Sequence, residues 1–97
     1  MWARVASFEG GNAEEMQRMS EERMASGEAN LPQGIQRALV FADAAANRRL
    51  FITFFDSREA IAAAEERFEA MGDEVPEEIR GRRTAVDVYE VVFDESV

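Results

Sequence analysis

Residues 49–57 read Arg49-Leu50-Phe51-Ile52-Thr53-Phe54-Phe55-Asp56-Ser57, and what covers this stretch decides the fold. A strand sends successive side chains to opposite faces. Leu50, Ile52 and Phe54 therefore point one way, and Phe51, Thr53 and Phe55 the other. Both faces are apolar. The rest of the chain holds two helix-like stretches, enough to cover one face of a small sheet. A contiguous apolar patch of more than a few hundred Å² is rarely left in water. Hiding ~800 Å² per protomer at ~25 cal/mol per Å² would contribute on the order of 20 kcal/mol before association costs. The simplest cover is a second copy, sheet against sheet.

Working outward, Asp56 is placed to cap a helix, with Glu59 three residues on. Ile61, Ala64, Phe68 and Met71 recur at spacings of three and four, the clearest helical stripe in the chain. Gly72 is a natural C-terminal stop. Residues 73–83, with Pro76 and Gly81, read as a charged connector with room for a short helical turn. Residues 84–93 form a valine-rich last strand. Upstream, residues 35–42 make a strand on which Ile35, Leu39 and Phe41 share a face with Arg37, and 43–47 a hairpin-like connection. Leu31-Pro32-Gln33-Gly34 is a turn. Residues 2–8 form the first strand and stop at Gly10-Gly11. Asn12 caps a first helix, with Glu15 at the capping-box position and Met16, Met19 and Met24 near one face. That helix fades around Gly27.

The order strand, helix, strand, strand, helix, strand is the ferredoxin-like βαββαβ arrangement. The expected fold class is α+β: a four-stranded antiparallel sheet with two helices on one face, dimerising through the other. Its 97 residues bound the chain to a single domain, 1–97.

Composition sets further limits. There is no cysteine and no histidine, so disulfides, thiolate or imidazole zinc sites, Ser-His-Asp systems and a histidine ligand to haem iron are excluded. Only carboxylates remain to hold a metal, and no cofactor is expected. Lysine is absent too, which excludes a side-chain Schiff base. The net charge of −9 repels phosphate backbones and anionic lipid, so neither nucleic acid nor membrane is an expected partner. Without an apolar run of spanning length or a secretory leader, the expected location is cytoplasmic.

Several stretches together resemble the antibiotic biosynthesis monooxygenase-like branch of the dimeric α+β barrel superfamily. They are the first strand ending Phe8-Glu9-Gly10, the Leu-Pro-Gln-Gly turn at 31–34, the run Phe54-Phe55-Asp56-Ser57-Arg58-Glu59-Ala60, and the terminal Val88-Tyr89-Glu90-Val91. The resemblance spans nearly the whole chain through turns, caps and strand ends, which specify fold better than activity. It implies a homodimer with a small-molecule pocket in each protomer, between helices and sheet. Cofactor-independent oxygenation of an apolar aromatic substrate is the activity it suggests. The alternative is a non-catalytic ligand-binding or structural dimer module. The family often carries tryptophan where this chain has Phe55. Its haem-degrading branch needs a first-strand asparagine, aligned here with Ala3, and a helix histidine that the chain lacks.

On this alignment Ala3, Val5, Ser7, Phe51, Thr53 and Phe55 face the pocket. Trp2, Arg4, Ala6, Phe8, Leu50, Ile52 and Phe54 face the partner. The expected ligand site is Ser7, Phe51, Thr53, Phe55 and Tyr89, favouring a flat apolar ring with one or two oxygens. The expected dimer face centres on Trp2, Phe8, Ile52 and Phe54. Tyr89 and Asp87 share a face of the last strand and could orient a phenol, or sit at the dimer seam. Arg80, Arg82 and Arg83 read as a cluster paired with Glu77 and Glu78 or with the partner. Arg4 and Arg37 are candidates for ion pairs across the interface.

Overall fold

The computed structural model describes residues 1–27 and 31–97. Its elements are β1 (Trp2–Glu9), α1 (Ala13–Ser26), β2 (Arg37–Asp43), β3 (Arg48–Phe55), α2 (Arg58–Asp73), α3 (Glu77–Arg80) and β4 (Arg82–Glu90). The strands form one antiparallel sheet in the order β2-β3-β1-β4, the ferredoxin-like topology. β3 lies inside the sheet, which is why it is apolar on both faces.

The helix ends follow local chemistry. Asn12 accepts the amide of Glu15, and Gly27 closes α1 in the left-handed conformation. Ser57, not Asp56, caps α2 by accepting the amide of Ala60. Asp56 instead accepts a hydrogen bond from the side chain of Gln36. Ser57→Ala should cost about 0.5–2 kcal/mol, visible as a lower urea midpoint, whereas Asp56→Ala should leave the cap intact. α2 runs one residue past Gly72, because Glu74 closes it in the right-handed conformation and no left-handed residue is needed there.

β4 starts at Arg82 and ends at Glu90, where β1 begins, with Trp2 paired to Glu90. The strand stops short of the expected residue 93, although Val91 N still donates to the Met1 carbonyl at 2.9 Å. Its register shifts between Ser7 and Phe8. The corner beside it is tight: a Cβ on Gly11 would fall 2.5 Å from the Gly81 amide nitrogen, and both glycines have positive φ. Only glycine fits that approach in that conformation. Arg49 reinforces the corner by donating to the carbonyls of Gly10 and Arg80.

The core lies between α2 and the sheet. Phe55, Ile61, Ala64 and Phe68 are buried together, with Trp2, Ile35, Phe51, Ala60 and Met71 packed on them. Ile35 thus belongs to the core side, apart from Leu39 and Phe41. α1 contributes no buried residue. Of its methionines, Met16 and Met19 are half-buried and Met24 is exposed.

The ladders fix the faces. Trp2 pairs with Phe55, Arg4 with Thr53, Ala6 with Phe51 and Phe8 with Arg49. Directly paired residues share a face. Trp2, Arg4, Ala6 and Phe8 therefore join Phe51, Thr53 and Phe55 under the helices, the reverse of the sequence reading of β1. Ala3, Val5 and Ser7 lie on the other face with Leu50, Ile52 and Phe54. Arg37, Leu39 and Phe41 reach that face from β2, and Ala85, Asp87 and Tyr89 from β4. Among the described residues no element packs over this second, open face, and Phe41 and Tyr89 are more than half exposed on it.

Candidate functional site

Two polar side chains sit in the middle of the helix-side floor. Arg4 is 2% exposed and Thr53 is 0% exposed, side by side in the β1–β3 ladder. Burying a guanidinium is costly unless it is paired. Glu65 on α2 supplies the pair: Arg4 Nε donates to Glu65 Oε1 at 2.7 Å, and Nη2 to Oε2 at 3.3 Å. The Phe68 ring adds a second contact, with Arg4 Cζ 3.9 Å from its centroid. A cation over a ring face at that distance is attracted by the ring quadrupole.

Three phenyl rings frame these groups. Phe68 meets Phe51 edge-on at 6.3 Å between centroids and Phe55 at 6.2 Å. The Thr53 hydroxyl is buried among them with no hydrogen-bond partner. An unsatisfied buried hydroxyl costs about 1–3 kcal/mol. A valine there would keep the shape without that cost, so the threonine is not explained by packing.

The site is closed on one side of α2 and open on the other. Thr53 and Phe55 are fully buried. Thr53→Phe should therefore overpack the core and lower stability by about 1–3 kcal/mol in urea unfolding; an unchanged midpoint would reveal hidden room. Toward β4 the cover is thinner. Val88 pairs with Arg4 and Val86 with Ala6, so both valines are on the helix side, and Val88 is 36% exposed. The Glu65 side chain is 39% exposed at the rim of this strip. One end is bounded by Arg83, which pairs with Glu69 of α2 at 2.8 Å.

Two surface clefts lie elsewhere on α1 and α2. One, of about 340 Å³, is lined by Leu31, Pro32, Gln33, Ala63, Ala64 and Arg67. The other, of about 330 Å³, is lined by Met19, Glu22, Arg23 and Ser26. Glu74 links them, accepting from Arg67 at 2.9 Å and Arg23 at 3.3 Å. The Arg67 guanidinium, and then that of Arg23, holds its carboxyl below the usual range.

Phe51, Thr53 and Phe55 are brought together as the sequence suggested. Ser7 and Tyr89 are not, because both lie on the open face. Trp2 and Phe8 leave the expected dimer face for the helix side, and Ile52 and Phe54 stay on it. Tyr89 and Asp87 are on that open face together. The arginine cluster disperses: Arg80 donates to the carbonyls of Gly72, Val75 and Gly81, and Arg82 pairs with Glu9. Arg4 and Phe68 were not expected in the site. Among the described residues no group of three acidic side chains converges as metal donors, and no helix is long and apolar enough to cross a membrane.

Neither a protein-family model nor a curated protein matches the chain by sequence. Solved structures do match its fold. An arginine-to-serine mutant of MhuD, solved with two manganese protoporphyrin IX molecules per active site, superposes with a TM-score of 0.60 at 14% identity over the whole of both chains. A Deinococcus radiodurans protein assigned as an antibiotic biosynthesis monooxygenase superposes with a TM-score of 0.52 at 14% identity, covering all of this chain and 98% of that one. At this identity the likeness is one of fold: the chain shares with both structures the ferredoxin-like α+β architecture of a four-stranded antiparallel sheet and its helices.

Proposed function

We propose that the protein is a homodimeric small-molecule-binding barrel whose ligand, a flat ring bearing an oxygen, lies under α2 on the Val86–Val88 strip. The carrying observation is the buried, unpartnered Thr53 hydroxyl beside Arg4, a polar spot in an otherwise aromatic site. A ring would stack on apolar walls while its oxygen meets the two polar groups. The chemistry such a site suits is cofactor-independent oxygenation. Held beside a cation, a phenolic ring gives up its proton more readily, and the electron-rich anion can reduce O₂: one oxygen atom replaces a ring C–H hydrogen to leave a quinone carbonyl, and the other departs as water with that hydrogen and the phenolic proton.

The closed packing at Thr53 and Phe55 favours a second reading, a structural dimer module with no ligand. The same measurement addresses both. Oxygen consumption is followed with a polycyclic phenol, protein and neither metal nor flavin, beside calorimetric binding of the same phenol. Protein-dependent uptake supports the oxygenase reading. Binding without uptake leaves a ligand carrier. Neither binding nor uptake leaves the structural module.

The dimer reading rests on the open face. Arg37 on β2 and Asp87 on β4 lie near opposite edges of it. A two-fold partner can set each against the opposite charge of the other copy.

A further inference from the structure

We infer that Arg4 and Thr53 form an anchor for an acidic oxygen, and that Glu65 occupies the anchor in the ligand's place. The ligand class is then a flat aromatic acid rather than a neutral ring. This rests on the reading that the ligand binds under α2.

The two partners of the ion pair are unequally placed. Arg4 is fixed: it is 2% exposed, rises from an interior strand and lies on the Phe68 ring. Glu65 is on the outer helix with 39% of its side chain exposed. Its carboxylate can swing to water at little cost, whereas the guanidinium has nowhere to go. A buried guanidinium presents a planar fork that matches a carboxylate's two oxygens. Any carboxylate reaching it from the Val88 side can take over the bonds Glu65 now makes. Thr53 supplies what Glu65 leaves unused, since its hydroxyl, adjacent in the ladder, has no partner. A ligand carboxylate oxygen that accepts from the guanidinium still has a lone pair to accept from this hydroxyl. No other anionic side chain pairs with Arg4 among the described residues, so exchange at this site involves one protein group.

The test compares naphthalene carboxylate with its methyl ester by isothermal titration calorimetry, on the wild type and on Glu65→Gln, Thr53→Val and Arg4→Met. The wild type should prefer the carboxylate by about tenfold or more, since the bonds are charge-assisted. Glu65→Gln should tighten the carboxylate several-fold and leave the ester unchanged. Thr53→Val should raise the melting temperature and weaken the carboxylate selectively, a combination that a purely structural threonine would not give. Arg4→Met, if it folds, should abolish the preference. Equal binding of acid and ester in the wild type and in Glu65→Gln and Thr53→Val overturns the anchor but keeps the binding site under α2. A carboxylate preference that survives Thr53→Val and is not raised by Glu65→Gln overturns it too. If neither compound binds to any variant, both the anchor and the site fall.

Discussion

Phe54→Glu is expected to turn a dimer of about twice 10.9 kDa into a monomer of 10.9 kDa in light scattering at micromolar concentration. Phe54 sits on the open face between Ala3 of β1 and Arg37 of β2. Leu50 and Ile52 continue the same row along β3, and Phe41 and Tyr89 flank it on the outer strands. In a sheet-to-sheet dimer a two-fold axis places the substitution on both copies. Each glutamate would lose its water in the seam at several kcal/mol apiece, a cost that its ladder neighbour Arg37 offsets only in part. The expected weakening is on the order of a thousandfold or more. Val40→Glu is the control. Val40 pairs with Phe51, so it lies on the helix side, and it is already 65% exposed. It should leave the mass unchanged. A wild-type monomer, or a Phe54→Glu variant that stays dimeric, would mean that the open face is not the interface.

The architecture was readable because β3 advertises it. A strand apolar on both faces has to be interior, and the capped helices before and after it supply one cover. The faces of β1 were misread for a specific reason. The family alignment sets Ala3, Val5 and Ser7 toward the pocket and Arg4 toward the partner. The antiparallel ladder instead places Arg4 beside Thr53, under α2. What makes this tolerable is a carboxylate 61 positions away, Glu65, and the Phe68 ring. Neither can be assigned to Arg4 from local pattern, because the register between β1 and β3 decides it. Tyr89, a pocket candidate with the dimer seam as its alternative, falls on the open face, because its side is decided by β4's register against β1. A sequence signal did exist: Glu65 lies next to Ala64 and three positions before Phe68, on the edge of the apolar stripe of α2, where a carboxylate can reach the sheet.

Phe68→Ala is expected to be the most destabilising single truncation of the core, by about 3–5 kcal/mol. Three losses coincide at this residue. The ring is 5% exposed and fills the space between α2 and the floor. It makes both edge-to-face contacts, with Phe51 and with Phe55, each worth about 0.5–1.5 kcal/mol beyond burial. It also carries the buried Arg4 guanidinium, which would then face a cavity with Glu65 as its remaining support. A domain of this size is stable by about 5–15 kcal/mol in all, so the loss is a large fraction of the total. The melting temperature should fall by on the order of 20 °C, at about 4–8 °C per kcal/mol. Urea unfolding at fixed protein concentration gives the free-energy change, and the concentration must be held because association stabilises the native state. Phe68→Leu should cost far less, since most of the volume remains. Below the unfolding transition the association state should not change, because the ring lies on the opposite side of the sheet from Phe54. A cost under about 1 kcal/mol would place the energetic centre of the core elsewhere and remove the support proposed for Arg4.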